Sequence, residues 1–301
     1  MNQIVKEIES LKKEKDAVIL AHYYLPDEIQ DIADYVGDSF YLSETATKVD
    51  AKRIVLCGVK FMAESAKILN PEKIVLMPEP AADCPMAHMA QVEKIKEVKQ
   101  QHPEAAVVCY VNSSAELKAN SDVCVTSSNA LKIVRALPNK KIFFVPDENL
   151  GRFIADKCPD KEFIFNDGYC HVHADVTKEM LMEAKSQHPN AKVLVHPECK
   201  PEISAMADYA GSTAGIIKMA GEFEEDELII GTEIGVLYEM KRKYPHKTFF
   251  NAGKEQVCPD MKLITLEKVL NVLKSDESAV QMSASLLERA KSPLSRMLEL
   301  S

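Results

Sequence analysis

Residues 17–39 read AVILAHYYLPDEIQDIADYVGDS, and the same frame returns at 105–127, AAVVCYVNSSAELKANSDVCVTS, and at 191–213, AKVLVHPECKPEISAMADYAGST. Aligned without a gap, the three stretches put Asp34, Asp122 and Asp208 in one column. Twelve residues earlier, at the end of each apolar run, stand His22, Tyr110 and His196. Thirty-seven residues after each Asp come Pro71, Pro159 and Pro245. Each Pro closes a helix-like stretch (FMAESAKILNP, NLGRFIADKCP, GVLYEMKRKYP) and precedes a strand-like one (KIVLMP, KEFIFN, KTFFNA). A register that recurs three times marks an internal repeat, and a repeat decides the fold before any single motif does.

Within each unit, short β-branched runs alternate with longer amphipathic stretches, the pattern of a parallel sheet flanked by helices. In the first unit the sequence predicts strands near 17–22, 53–58 and 73–77 and helices near 27–35, 40–49 and 61–70. A helix opens every unit (IVKEIESLKKEK, VEKIKEVKQQH, TKEMLMEAKSQH), and a fourth, TLEKVLNVLK, begins near Thr265 with no complete unit after it. The expectation is an α/β fold of three pseudo-threefold-related repeats with the active site at the central axis. The repeats span 1–88, 89–174 and 175–260. A C-terminal helical segment, 261–301, packs against unit one and closes the ring.

Composition narrows the function. At 46% hydrophobic and 28% charged, 301 residues can bury a sizeable core, which excludes disorder and collagen. The net charge of −9 and the lack of a basic stripe argue against nucleic acid. No apolar run reaches the roughly 20 residues of a bilayer span, and the charged N-terminal helix is unlike a signal peptide. A soluble, cytoplasmic protein without a membrane partner is expected.

Eight cysteines in a reducing compartment need an explanation other than disulfides. The chain contains no CxxC, which argues against zinc ribbons and thioredoxin-type pairs. In the repeat register, Cys84, Cys170 and Cys258 are equivalent, each 11 to 13 residues past its Pro, while Cys57, Cys109, Cys124, Cys158 and Cys199 have no cysteine counterparts. The five read as small buried hydrophobes. Three thiolates, one per unit, converging on one axis suit a soft metal or an iron–sulfur cluster with one open iron; zinc with a fourth ligand also satisfies the donor set.

Two polar columns end the first strand of each unit, where sites on parallel sheets collect: His22, Tyr110 and His196, then Tyr24, Asn112 and Glu198 two residues on. Four and five residues past each repeat Asp come Asp38 and Ser39, Thr126 and Ser127, Ser212 and Thr213, each pair ahead of a helical stretch and so suited to capping or to holding an anion. Three such mouths suggest a small substrate with several carboxylate or phosphate groups. The repeat Asp residues themselves read as structural, at strand entries.

With these pieces in place the chain resembles the quinolinate synthase family, through AHYYLPDEIQDIADYVGDS, GVKFMAESAKILNP, CPMA, CYVNSSAELKANSDVCVTSSNA, HPEC, GSTAG and GTEIGVL, which together cover nearly the whole sequence. The resemblance implies a 4Fe–4S cluster on Cys84, Cys170 and Cys258 with one iron open to substrate. It implies condensation of iminoaspartate with dihydroxyacetone phosphate to quinolinate in de novo NAD biosynthesis, and functional coupling to an iminoaspartate-producing enzyme. It points to His22, Tyr24, His196 and Glu198 for catalysis, and to Asp38, Ser39, Tyr110, Asn112, Ser127, His173, Ser212 and Thr213 for substrate binding. One departure stands out: the sequence reads GYCHVHA around Cys170 where the family pattern is GHCPVHQ, so Tyr169 and His171 replace His and Pro. His171 is expected to face solvent.

Rival readings share parts of this pattern. Diphthamide-synthesis enzymes and the isoprenoid diphosphate reductase also hold a cluster between three units, and a labile cluster can serve an oxygen- or iron-sensing binding protein. The contiguous HPEC and CYVNS matches favour the synthase, and a sensor has no need of Tyr24 and Glu198 beside the cluster.

Overall fold

The computed structural model describes residues 3–301. The first unit runs α1 (Gln3–Glu14), β1 (Ala17–His22), α2 (Asp27–Ile32), β2 (Tyr35–Gly37), α3 (Ser39–Lys48), β3 (Arg53–Cys57), α4 (Lys60–Leu69) and β4 (Ile74–Leu76). The second repeats it: α5 (Val92–Gln101), β5 (Ala106–Tyr110), α6 (Ala115–Ala119), β6 (Val123–Val125), α7 (Ala130–Ala136), β7 (Lys141–Val145), α8 (Glu148–Ala155) and β8 (Glu162–Phe165). After a short α9 (His171–Ala174), the third comprises α10 (Lys178–Gln187), β9 (Lys192–Val195), α11 (Pro201–Met206), β10 (Tyr209–Ala210), α12 (Thr213–Glu222), β11 (Glu227–Gly231), α13 (Val236–Lys243) and β12 (Thr248–Asn251). Helices α14 (Leu266–Ser275) and α15 (Ala284–Leu300) complete the chain.

Each unit forms one four-stranded parallel sheet, in the orders β2-β1-β3-β4, β6-β5-β7-β8 and β10-β9-β11-β12. The α/β triplicate architecture expected from the repeat is the one observed. The short edge strand β2 departs from the sequence reading, which ran a helix through to residue 35, and β6 and β10 are its counterparts in the other two units. Ala33 instead leaves α2 in an extended conformation, with φ −75° and ψ 142°. The following Asp then clamps the first strand of its unit. Asp34 Oδ2 accepts the Ile19 N–H at 2.7 Å, Asp122 Oδ2 that of Val107 at 2.7 Å, and Asp208 Oδ2 that of Val193 at 2.9 Å. In return the three Asp peptide N–H groups donate to the carbonyls of Ile19, Val107 and Val193. A two- or three-residue strand fixed this way leaves almost no periodicity to read.

The units join head to tail by like contacts. From unit one, the Phe61 carbonyl accepts from the buried Lys118 of unit two at 3.3 Å, and Glu64 accepts the Ala115 N–H at 3.1 Å. From unit two, Asn149 Nδ2 donates to the Glu198 carbonyl of unit three at 3.1 Å. From unit three, the Gly235 carbonyl accepts from Gln30 Nε2 of unit one at 3.1 Å, while the same amide group donates to Tyr23 and Leu25. Ring closure therefore falls to the start of α13, not to the C-terminal helices.

Those helices divide. Helix α14 packs on α1 and β3, with Arg53 bonded to Asp276 at 2.8 Å, whereas α15 lies along α6, β6 and α4. The segment expected against unit one thus also bridges to unit two, because Ala290, Leu294 and Met297 form a buried face that fills the gap between them. Units one and two accordingly share one continuous core, and unit three has apolar layers of its own on the two faces of its sheet.

A Cβ built on Gly235 would sit 2.7 Å from the Tyr24 carbonyl carbon and 2.8 Å from the Tyr23 oxygen, both backbone atoms that cannot swing away. Its own dihedrals, φ −58° and ψ −24°, suit any residue. Gly235→Ala should therefore cost about 1–3 kcal/mol through overpacking alone, seen as a lower midpoint in equilibrium denaturation; an unchanged midpoint would mean that the ring is not closed here.

Candidate active site

Where the three units meet, a cavity of about 770 Å³ opens. The parallel strands of each unit end toward it, so each β1, β5 and β9 delivers its last polar residues there. Every candidate site residue lines this cavity except Ser212. Ser212 is instead turned into its own chain, where its hydroxyl accepts the Gly215 N–H at 3.1 Å as the cap of α12. Asp38 reaches the cavity wall, but both oxygens are engaged: Oδ1 accepts the Tyr41 N–H at 2.9 Å and Oδ2 the Ser128 hydroxyl at 2.6 Å. In unit two, α7 starts at Ala130 and Thr126 opens a turn closed by Asn129 Oδ1 at 2.7 Å, so this mouth is a turn and not a helix end.

The two strand-end histidines are held alike. His22 Nδ1 accepts the Tyr24 N–H at 3.1 Å, and His196 Nδ1 accepts the Glu198 N–H at 3.3 Å. With Nδ1 occupied as acceptor, the neutral ring carries its proton on Nε2. His196 Nε2 lies 3.2 Å from the Ser127 hydroxyl. Burial drives both imidazoles down to about 3, helped at His22 by the neighbouring His196 and opposed at His196 by Glu198.

Glu198 is the charged centre of the group. Burial would raise its carboxyl, but His196, His173 and the hydrogen bonds from His173 and Tyr110 outweigh burial and hold it below the ordinary carboxylate range. Tyr110 donates to Oε1 at 2.6 Å, and His173 Nδ1 stands 2.8 Å from Oε2. Tyr24 lies across from it, with its hydroxyl 2.8 Å from both Thr213 and Thr232. Burial, then the Glu198 charge, pushes both phenols well above their usual value, so both keep their protons. Asn112 Oδ1 is buried without a hydrogen-bond partner, an acceptor aimed at whatever enters.

Cys84, Cys170 and Cys258 are half-buried on the cavity wall, whereas the other five cysteines are fully buried. Burial lifts their thiols, Cys84 to about 12 and Cys258 to about 11, with Glu198 raising Cys84 and Cys170 further. Cys170 Sγ, His173 and Glu198 offer donor atoms within 4.8 Å of one another, a possible metal site. His171, expected in solvent, is half-buried and lines the cavity as the first residue of α9, while Tyr169 is exposed. Sequence reasoning missed Thr232, which binds both Tyr24 and His173 Nε2, the latter at 2.9 Å. It also missed the buried Glu233, paired with Lys262 at 2.9 Å, and the buried Asp147. Asp147 and Glu233 share a register position with Val59, and that one apolar member hid the column.

A buried pocket centred on Glu198, with three thiols and a possible metal site on its wall and walls drawn from three repeats, is the site of a triplicated α/β enzyme. The family comparison narrows this: the profile for quinolinate synthetase A protein matches residues 6–299, and the chain belongs to that family. It is 51% identical to the quinolinate synthase of Clostridioides difficile over 98% of this chain and 97% of that one. Identity is 50% to quinolinate synthase 2 of Methanosarcina acetivorans, covering 99% and 96%, and 45% to the Aquifex aeolicus quinolinate synthase, covering 100% and 95%. No helix among the described residues is long and apolar enough to cross a membrane.

The imidazoles give a signed pH prediction. Rings that titrate near 3 when folded and near 6.5 when unfolded make the unfolded chain bind more protons between those values. Stability of the metal-free protein should therefore fall as pH drops through that window, by about 1.4 kcal/mol per pH unit for each ring. Glu198, whose folded carboxyl lies low, adds to the loss below 4.5. Urea unfolding from pH 7 to 4 measures the slope, and His196→Gln should flatten it; an unchanged slope in that variant would contradict the burial argument.

Proposed function

We propose that this enzyme condenses iminoaspartate with dihydroxyacetone phosphate to give quinolinate, phosphate and two waters, with a 4Fe–4S cluster on Cys84, Cys170 and Cys258. The observation that carries the reading is that three equivalent thiols share one cavity with the strand-end histidines, Tyr24 and Glu198. The donor set fits the cluster better than a lone ion. The three sulfurs are close enough to sense one another electrostatically, yet they fall outside the 4.8 Å grouping that gathers Cys170, His173 and Glu198. One zinc with bonds of about 2.3 Å holds its sulfurs no more than about 4.6 Å apart; a wider set suits a polynuclear group.

When bound, such a cluster supplies an iron lacking a protein thiolate, a Lewis acid for the loss of water. The side chains do the rest. His22 and His196, neutral with Nε2–H directed outward, donate to substrate carboxylate without adding charge. The hydroxyls of Ser39, Ser127 and Thr213 hold carboxylate and phosphate oxygens, two of them beside the N-termini of α3 and α12. Asn112 Oδ1 accepts the substrate N–H, which meets its lack of a protein partner. Glu198 is the one group in the cavity poised to take a proton, and Tyr24 one to give it, for moving hydrogen between imine, enol and alcohol forms. Tyr110, expected on the substrate, serves first to orient Glu198. The setting is cytoplasmic de novo NAD biosynthesis, next to an enzyme that supplies the unstable iminoaspartate.

The test mixes anaerobic, cluster-loaded protein with dihydroxyacetone phosphate and freshly generated iminoaspartate and follows quinolinate by chromatography. Tyr24→Phe and Glu198→Gln should each lower turnover about 100-fold or more with the cluster spectrum intact. Replacing any one of the three cysteines by Ala should abolish cluster assembly. A colourless, zinc-loaded protein of full activity would refute the cluster.

A further inference from the structure

Each of the three cysteine loops is strapped by one backbone hydrogen bond to the residue three positions past the third strand of its unit, at the start of α4 and α8 and in the lead-in to α13. Lys60 N–H donates to the Ala82 carbonyl at 3.0 Å, Glu148 to Gly168 at 2.7 Å, and Ile234 to Gln256 at 2.9 Å. In every case the acceptor lies two residues before the cysteine. A second contact then falls on the cysteine itself. Cys170 N–H donates to Asp147 Oδ2 at 3.2 Å, Cys258 N–H to Glu233 Oε1 at 3.1 Å, and Cys84 N–H to Asp83 Oδ1 at 2.8 Å.

Asp147 and Glu233 are equivalent, just past β7 and β11, where unit one has Val59. Unit one compensates from inside the loop, with Asp83, whose own N–H reaches Asp260 Oδ1 at 3.4 Å. Helix capping does not account for the pair. One oxygen of Asp147 caps α8 through the Leu150 N–H at 2.7 Å, and one oxygen of Glu233 accepts the Gly235 N–H at 2.7 Å, a local bond that is not a cap of α13. A serine would cap as well without a carboxyl group at zero exposure, and burying one is costly unless it is fully hydrogen-bonded. The second oxygen is what a serine lacks, and in both units it goes to the cysteine.

We infer that Asp83, Asp147 and Glu233 are positioning residues, each fixing the peptide of one cysteine so that its sulfur faces the cavity. Glu233 extends the support: Lys262 pairs with it and also donates to the Tyr24 carbonyl, so one lysine ties the Cys258 loop to a candidate proton donor. The inference rests on the metal reading above, and the experiment separates the two.

Asp147→Ser keeps the cap and removes the cysteine contact; Glu233→Gln keeps length and loses one acceptor. Both, with the wild type, Cys170→Ser and Asp208→Asn, are rebuilt anaerobically with ferrous iron and sulfide. Iron per chain, the electron paramagnetic resonance of the reduced protein and the rate of bleaching by EDTA are then measured, with circular-dichroism melting of the metal-free forms. Asp208 anchors the start of β9 away from the cavity, so its variant should melt lower yet bleach at the wild-type rate. Asp147→Ser and Glu233→Gln should take up iron but bleach about 10–100-fold faster, with an altered resonance signal. Wild-type bleaching and resonance in both would overturn the inference; should Asp147→Ser not fold, Glu233→Gln decides alone. A wild type that takes up no iron, like Cys170→Ser, would instead sink the metal reading beneath it.

Discussion

The backbone strap from the residue three positions past each third strand to the carbonyl two residues before each cysteine is the constraint on which the site depends. The third strand is interior to its sheet and buried along most of its length, so its end is among the least mobile points of each unit. A loop tied there by main-chain atoms takes its position from the sheet and not from its own sequence. That explains why the loops can read ADCPMA, GYCHVHA and QVCPDM and still bring their sulfurs to one cavity. The departure at Tyr169 and His171 leaves Cys170 in place for the same reason.

Charge inside the cavity is rationed. Burial keeps two imidazoles neutral and two phenols protonated, while Glu198 is surrounded by enough donors to remain a carboxylate despite its burial. Its carboxylate is held by Tyr110 from unit two and by His173 from the short helix that follows Cys170, while its peptide N–H donates to His196 Nδ1. Glu198 and the Cys170 loop are thereby mechanically coupled, since His173 Nδ1 also lies 3.2 Å from Cys170 Sγ.

Much of this was legible in the sequence because the repeat fixes columns, and columns survive folding. The clamp by Asp34, Asp122 and Asp208, the strand-end histidines and the choice of three cysteines out of eight all follow from register. What escaped has physical causes. Strands of two or three residues carry no pattern, so β2 vanished into the preceding helix. Ser212 and Asp38 looked like ligand groups because a cap and an anion mouth use the same residue types. Asp147 and Glu233 lie on a column whose first-unit member, Val59, is apolar, and Thr232 on the neighbouring column with Gly58 and Pro146; the contact that unit one needs arrives from a different place, Asp83.

That broken column is part of a wider division of labour. The backbone repeats faithfully: three sheets of one order, three head-to-tail junctions, three straps. The side chains that face inward do not. His, Tyr and His occupy one set of equivalent positions, and Tyr, Asn and Glu the next. A symmetric frame with identical side chains would offer three equal subsites and could not tell one end of a small molecule from the other. Here the imidazole of His22, the unpaired acceptor of Asn112 and the carboxylate of Glu198 come from units one, two and three of the same cavity. Triplication brings three thiols to one cavity, and divergence at a handful of strand ends gives direction. Unit three, which keeps cores of its own, contributes His196, Glu198, Thr213 and Glu233 to that asymmetry.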